Sequence, residues 1–181
     1  MARIQIILLL IITALISGGC MGSGEPMATV PSVDLDRFMG DWYVVANIPT
    51  FIEKNAVNAV ESYSLREDGD VNITFTFRDK TPDGEKKKHT ARGFIHNKET
   101  KAEWRVQFFW PLKFAYKVID LHPDYTYTVI GVPNRKYVWI MSRTPKIDES
   151  TYTKIVERLV AEYGYDMDKI KKVTQTWEVK S

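Results

Sequence analysis

The chain contains the residue types that most often carry catalysis or bind metals, but their spacing matches no motif that uses them. Three histidines are spread along the sequence, at His89, His96 and His122. None lies in an H-E-x-x-H motif or a comparable ligand spacing, and one cysteine provides no thiol pair. Ser142 and Ser150 lack the glycine-flanked turn that exposes a hydrolase nucleophile. The sequence therefore predicts no metal site, no cofactor, no catalytic residue and no enzymatic activity.

The single cysteine, Cys20, stands in a distinctive N-terminal context. Arg3 is followed by a nearly continuous apolar stretch over residues 4–16, and small residues at positions 17–19 precede Cys20. This order is typical of a secretory signal peptide, and the apolar stretch is short for a bilayer span. A single membrane anchor helix is the alternative. Because there is no second cysteine, the fold cannot depend on an intrachain disulfide.

This N-terminal arrangement resembles the signal of bacterial lipoproteins, whose cysteine is acylated after cleavage. The resemblance implies a signal peptide over residues 1–19, a lipidated tether over residues 20–32 and a folded domain over residues 33–181. One departure is Ser17, where the family usually has an aliphatic residue. Met21 in place of Asp after the cysteine resembles the lipoproteins that reach the outer membrane. The alternative is an ordinary secreted protein cut nearby, with a free thiol.

The folded part predicts an all-β architecture, because short apolar segments alternate with turn signals. The clearest segment covers residues 71–78, where Val71, Ile73, Phe75 and Phe77 alternate with polar residues and share one face. Further strands are predicted over residues 42–48, 60–65, 89–96, 102–109, 114–121, 125–132 and 137–142. Short loops favour antiparallel neighbours, and eight such strands can close into an up-and-down β-barrel.

The pattern changes after the eighth predicted strand. Apolar residues at helical spacing predict one C-terminal α-helix on the outside of the barrel: Tyr152, Ile155, Val156, Leu159 and Tyr163. Asp148 or Ser150 can cap its start, and Gly164 can end it. A short final strand over residues 173–179 is predicted beside the first strand.

Charge gives little indication of a macromolecular partner. The net charge is +2 over 181 residues, so the sequence gives no reason to expect nucleic acid binding. The basic residues Lys86 to Lys88 are interpreted as a solvated turn rather than a phosphate-binding patch.

The start and end of the predicted barrel carry the residues on which a family resemblance depends. Gly40-Asp41-Trp42-Tyr43 resembles the Gly-x-Trp signature of the lipocalins, and the segment over residues 137–145, with Arg143, resembles their last barrel strand. The bacterial lipocalins are most similar, since they share the loop containing Phe51 and Glu53 and the start of the second strand around Asn58, Ala59, Tyr63, Ser64 and Leu65. The family's middle Thr-Asp-Tyr motif is absent here. The resemblance implies that Gly40, Trp42 and Arg143 close one end of the barrel.

The resemblance also implies a function for the barrel interior. It predicts a fatty acid or a lysophospholipid as the ligand, and attachment to the outer membrane through Cys20, with the barrel facing the periplasm. Candidate ligand-binding side chains are the apolar residues expected to point inward: Phe75, Phe77, Trp104, Val106, Phe108, Tyr116 and Trp139. Val44 and Ala46 are also expected to point inward with Trp42.

Two alternative hypotheses for the function of the barrel fit the same residues. The same inward residues would form a filled core in a structural lipoprotein without a ligand, and a lipocalin-fold enzyme is a third possibility. Apolar loop residues are expected around the open end, at Phe51, Ile52, Trp110 and Leu112. They would contact the membrane or a second copy in a homodimer, or fold over the barrel.

Overall fold

The computed structural model describes residues 26–177; the predicted signal peptide and Cys20 lie outside the described residues. Eight main strands follow one another along the chain: β1 (Gly40–Ile48), β2 (Ala56–Leu65), β3 (Val71–Asp79), β4 (Lys86–Ile95), β5 (Glu103–Phe109), β6 (Leu112–Leu121), β7 (Tyr127–Gly131) and β8 (Val138–Ser142). The remaining elements are α1 (Leu35–Phe38), α2 (Glu149–Tyr163), a 3-10 turn (Met167–Lys169) and β9 (Lys171–Lys172).

The eight strands form a closed antiparallel barrel. Each strand pairs with the next one along the chain, and β1 pairs with both β2 and β8. Closure leaves no long free edge in the sheet. The predicted all-β, eight-stranded up-and-down barrel is therefore confirmed.

The start of β4 differs from the sequence prediction. Lys86 to Lys88 were expected in a turn, but they belong to β4 and pair with Arg78, Phe77 and Thr76 of β3. The turn is shorter than predicted because the chain reverses within residues 80–85. The strand prediction started too late because three consecutive lysines lack the apolar alternation by which strands are recognised.

Bulges interrupt the regular alternation of side chains at several places. In β1 the pairing with β8 shifts between Val44 and Ala46. Val44 faces the barrel interior, whereas Ala46 packs with the apolar cluster beneath α2. The expectation that Ala46 points inward is therefore wrong, because one extra residue in a bulge moves the following side chains to the other face.

Helix α2 lies on the outside of the barrel, as predicted. The Asp148 side chain caps its start by accepting a hydrogen bond from Thr151 N at 2.8 Å, and Gly164 ends it in the left-handed conformation with φ 69°. Ile155 and Leu159 are buried against strand residues such as Ile140. The helix thus covers the outer face of the sheet where β1, β6, β7 and β8 meet.

The C-terminal segment closes a seam between β1 and β2. The direct pairing of these strands covers Gly40 to Tyr43, and beyond it residues 173–177 lie between them. Val173 N donates to Val45 O at 2.9 Å, and Asn58 N donates to Thr174 O at 2.8 Å. A final strand is thus found beside β1, but it is the two-residue β9, which precedes the predicted range of residues 173–179 and pairs with Ala46 and Asn47.

The segment before the barrel is packed on its surface. The Met27 side chain is buried, and Lys117 Nζ donates to Met27 O at 3.2 Å. Val30 N donates to Val118 O at 3.0 Å. The folded unit therefore extends N-terminally to Met27, which lies within the predicted tether.

Candidate ligand-binding site in the barrel interior

One end of the barrel is closed by an arginine over an indole. The Arg143 guanidinium carbon is 3.7 Å from the centre of the Trp42 ring, and Trp42 is fully buried. Arg143 donates to Asp41 O at 2.8 Å and to Arg37 O at 2.7 Å, which ties β8 to the start of β1. Partial burial lowers the pKa of Arg143. Gly40 adopts φ 91°, a conformation that L-residues rarely adopt, so the backbone conformation favours glycine at this position.

A row of stacked aromatic rings crosses the interior above this closed end. The ring centres of Trp104 and Tyr116 are 5.6 Å apart, with an angle of 21° between the ring planes. The ring centres of Tyr116 and Trp139 are 6.1 Å apart, with an interplanar angle of 30°. These rings come from β5, β6 and β8, which are not all neighbours in the sheet. The row therefore forms an apolar, aromatic wall inside the barrel.

Most of the sequence-predicted ligand-binding residues come together in this interior. The buried ones belong to one apolar cluster: Phe75, Phe77, Trp104, Val106, Tyr116 and Trp139. Phe108 lies outside that cluster and is 52 % exposed. Phe108 comes directly after Gln107, the last β5 residue paired with β4, and its ring centre lies 6.5 Å from that of Phe114, so it is exposed at the open end.

The interior also holds a buried carboxylate that the sequence reasoning missed. Glu61 of β2 is the cross-strand partner of Trp42 and of Phe75, so it points inward. Its Oε2 accepts hydrogen bonds from the Tyr63 hydroxyl and, at 3.2 Å, from the Tyr116 hydroxyl. The two hydroxyls are also hydrogen-bonded to each other.

Burial controls the ionisation of this group. Removal from water raises the pKa of Glu61 to about 7, although the Tyr63 hydrogen bond opposes the rise. Burial, and next the charge of Glu61, raise the pKa of Tyr63 and of Tyr116 well above the ordinary tyrosine value. We call Glu61, Tyr63 and Tyr116 the interior polar cluster. The signal that could have revealed it is a charged residue on the inward face of a strand next to the Trp42 signature.

A second buried carboxylate, Glu53, lies nearer the open end. Trp139 Nε1 donates to Glu53 Oε1 at 2.9 Å, and Thr50 N donates to Glu53 Oε2 at 2.9 Å. Burial raises the pKa of Glu53, and the nearby Glu53 charge contributes to the raised pKa of Glu61. Both carboxylate oxygens of Glu53 thus have partners, and the residue fixes the loop after β1 to the Trp139 indole.

The open end has an exposed apolar rim. β4 pairs with β5 over Arg92–Ile95, so the β4 residues before Arg92 extend past the last pair and the β5–β6 hairpin separates from them. The large exposed apolar side chains around this end, which we call the apolar rim, are Phe51, Ile52, Phe108, Phe109, Trp110, Leu112 and Phe114. On the opposite side of the gap, His89 stacks on Phe77 with ring centres 6.0 Å apart.

Comparison with known proteins identifies the family. The model of the lipocalin-like domain matches residues 33–175. The chain is a member of the lipocalin-like family. The match includes the Trp42 and Arg143 pair and all eight strands of the barrel. This family binds small hydrophobic molecules, and this lipocalin is similar to bacterial members.

Two relatives and one solved structure illustrate the similarity of this lipocalin. Temperature-induced lipocalin-1 of Arabidopsis thaliana is 33 % identical over 171 residues, covering 86 % of this chain and 87 % of the relative. The outer membrane lipoprotein Blc of Vibrio cholerae is 28 % identical over 167 residues, covering 92 % of this chain and 96 % of Blc. The structure of insecticyanin from the tobacco hornworm Manduca sexta superimposes with a TM-score of 0.61 at 18 % identity, covering 81 % of this chain and 84 % of insecticyanin. At that identity the structural likeness supports the fold alone.

Two further observations concern metals and membranes. Between residues 26 and 177 of this lipocalin, no three His, Cys, Asp or Glu side chains come together in a way that could hold a metal ion. Within the same residues, no helix has the length and apolar character needed to cross a bilayer.

Proposed function

We propose that this lipocalin holds a lipid, a fatty acid or a lysophospholipid, inside its barrel and does so as an outer-membrane lipoprotein. The observation that carries the proposal is a continuous apolar wall from the interior to the open end. Val106 and Phe114 are cross-strand partners, with Val106 only 3 % exposed and Phe114 47 % exposed. The wall thus changes from buried core to exposed rim across one residue pair.

This wall suits an alkyl chain on energetic grounds. Each methylene group moved from water to an apolar site contributes about 0.8 kcal/mol, so a long chain binds without specific hydrogen bonds. The apolar rim lies where such a chain would enter from solvent or membrane, and the β4 residues before Arg92 have no β5 partner on that side. The function is that of a carrier, with no catalytic step.

Attachment through Cys20 is supported by the signal-like N-terminus and by the similarity to Blc of Vibrio cholerae, an outer membrane lipoprotein. Met27 is packed beside Gly131 at the end of β7, and its backbone oxygen accepts a hydrogen bond from Lys117 of β6. The seven residues from Cys20 to Met27 span at most about 25 Å. A lipid on Cys20 would therefore hold the barrel close to the membrane surface, on its periplasmic side.

A structural lipoprotein with a filled barrel is the second candidate. The observation that favours it is the close packing of aromatic rings in the interior. The ring centre of Phe38 is 5.4 Å from those of Tyr63 and Trp104, and the Tyr63 and Trp104 ring centres are 5.9 Å apart. These contacts leave the closed half of the barrel occupied by its own side chains. A homodimer through the apolar rim is the alternative arrangement of that surface, and sedimentation analysis distinguishes it from a monomer.

The experiment that tests the proposal is a titration of the Cys20→Ser chain over residues 20–181. A fluorescent fatty acid and a fluorescent lysophospholipid are titrated in turn and displaced with the unlabelled lipids. The proposal expects saturable binding at one site that the unlabelled lipid reverses. A folded protein that binds neither probe would contradict it and favour the filled barrel.

A further inference from the structure

The hydrogen bonds of the interior polar cluster leave acceptors without partners and use every donor. Each tyrosine hydroxyl has one proton to donate, and the two hydroxyls lie within hydrogen-bond distance both of Glu61 Oε2 and of each other, so both protons are used within the cluster. Among the described residues, no donor reaches Glu61 Oε1. A carboxylate has room for about four hydrogen bonds and each hydroxyl for two as acceptor. The cluster therefore has spare capacity for a donor supplied from outside the protein.

Glu53, the other buried carboxylate of the interior, differs from Glu61 because its hydrogen bonds are complete. Both oxygens of Glu53 accept hydrogen bonds, one from Trp139 Nε1 and one from Thr50 N, each at 2.9 Å. Glu53 therefore has a structural role, whereas Glu61 has one carboxylate oxygen without a hydrogen-bond donor among the described residues. A ligand that donates a hydrogen bond to Glu61 Oε1 gains that hydrogen bond in addition to its apolar burial.

The charge inside the barrel points in the same direction. The ion pairs among the described residues involve neither Glu53 nor Glu61. Above its pKa of about 7, Glu61 therefore carries a negative charge that no ion pair among the described residues neutralises. A ligand carboxylate buried beside Glu61 would meet a like charge in a medium of low dielectric constant, which is unfavourable.

The location also suits a ligand group rather than a purely structural bond. Tyr116 belongs to the row of stacked rings with Trp104 and Trp139, and Glu61 faces Phe75 on the adjoining wall. The polar atoms of the cluster thus lie between the closed half, where Tyr63 packs against Phe38 and Trp104, and the part of the interior beside Tyr116 and Trp139 that is proposed to hold the alkyl chain. A polar group at the end of such a chain would come into reach of Glu61 and the two tyrosyl oxygens.

We propose that Glu61, Tyr63 and Tyr116 form a polar subsite that accepts hydrogen bonds from a hydroxyl or ammonium group on the ligand and discriminates against carboxylates. This inference rests on the proposed lipid-binding function and narrows it. The preferred ligand is a neutral or cationic amphiphile, with an apolar chain that ends in a hydrogen-bond donor. Free fatty acid anions are the weaker ligands.

The test compares three ligands with the same twelve-carbon chain: 1-dodecanol, dodecylammonium and dodecanoate. Each displaces a fluorescent lysophospholipid from the Cys20→Ser chain over residues 20–181 at pH 8, where dodecanoate is ionised. The expected result is at least tenfold tighter binding of the alcohol and the ammonium compound than of dodecanoate. Equal or tighter binding of dodecanoate would overturn the subsite while leaving lipid binding intact. Failure of all three ligands and of the probe would contradict the proposed function itself.

Two variants assign the preference to the cluster. In Glu61→Gln, which removes the charge with little change in shape, the preference for dodecanol over dodecanoate is expected to fall below threefold. Glu67→Gln removes an equal charge from an exposed turn and is the matched control, so it should keep the wild-type preference. An unchanged preference in a folded Glu61→Gln protein would exclude Glu61 as its source. The wild-type comparison tests the proposal even if that variant does not fold.

Discussion

The Arg143 guanidinium covers the Trp42 indole at 3.7 Å and also donates hydrogen bonds to the backbone of Arg37, Phe38 and Asp41. One side chain thus joins the end of β8 to the start of β1 and to α1. Arg143→Ala is expected to lower the free energy of unfolding by about 1–3 kcal/mol, since it removes both the ring contact and the hydrogen bonds. Chemical denaturation measures the loss. Lys146→Ala, at an exposed position nearby, should stay within about 0.5 kcal/mol of the wild type.

The inward face of β3 provides a test of the ligand site. Phe77 is buried in the interior, whereas its neighbour Thr76 points to the other face of the sheet. Phe77→Glu is expected to weaken binding of a fluorescent fatty acid at least tenfold, because it places a charge in the apolar wall. Thr76→Glu adds the same charge outside and should leave the affinity unchanged. Equal affinities for the two folded variants would argue against binding inside the barrel.

The raised pKa of Glu61 makes stability depend on pH. Its pKa is about 7 in the folded protein and 4.5 in the unfolded reference, so burial of the neutral carboxyl is tolerated at low pH. The contribution of the neutral Glu61 carboxyl to the free energy of unfolding is fully present below pH 4.5. It is lost as the pH rises through 7, because the folded state then holds a buried charge. Relative to Glu61→Gln, wild-type protein is expected to lose about 3 kcal/mol between pH 4 and pH 8.

Denaturation curves of both proteins across that range measure the difference. The other titratable groups that face Glu61, namely Glu53, Tyr63 and Tyr116, are present in both proteins and largely cancel. A difference between the two proteins that stays constant from pH 4 to pH 8 would contradict the assignment.

Membrane attachment is expected to depend on Cys20. Cys20→Ser should move the protein from the membrane fraction to the soluble fraction after export. The variant lacks the thiol that is acylated, and two or more acyl chains are needed for stable attachment. Fractionation followed by immunoblotting measures the distribution, and mass spectrometry of wild-type protein should show acyl chains on the N-terminal residue. Retention of Cys20→Ser in the membrane would contradict the anchor.

The seam between β1 and β2 gives a prediction about backbone conformation. Asn58 adopts φ 55°, donates from Nδ2 to Thr176 Oγ1 at 2.9 Å and accepts from Thr176 N at 2.7 Å. Asn58→Gly removes the side-chain hydrogen bonds but tolerates the left-handed conformation, and should cost about 1 kcal/mol. Asn58→Ala adds strain and should cost about 1 kcal/mol more. Equal thermal stability of the two variants would exclude strain at this position.

The strand order, the outer helix and its caps at Asp148 and Gly164 were predictable, because apolar periodicity and capping residues act locally. The face of Ala46 was not, since the bulge in β1 depends on pairing with a neighbouring strand, and the exposure of Phe108 was not, since it depends on where the β4–β5 pairing ends. Glu61 was missed for a different reason. A charged side chain normally indicates a solvent-facing position, and only the closed barrel shows that tyrosines from β2 and β6 surround it.

The seam also has a consequence for the order in which the molecule is assembled. Gln175 Nε2 donates to Val44 O at 2.8 Å and to Ala59 O at 3.0 Å, joining two strands more than 110 residues earlier in the chain. The facing edges of β1 and β2 around Val44 and Ala59 therefore stay unpaired during folding until the segment after α2 has been synthesised and has docked between them. Contacts of such long sequence separation slow folding. Until then, these unpaired edges form a transient site for mispairing with other strands.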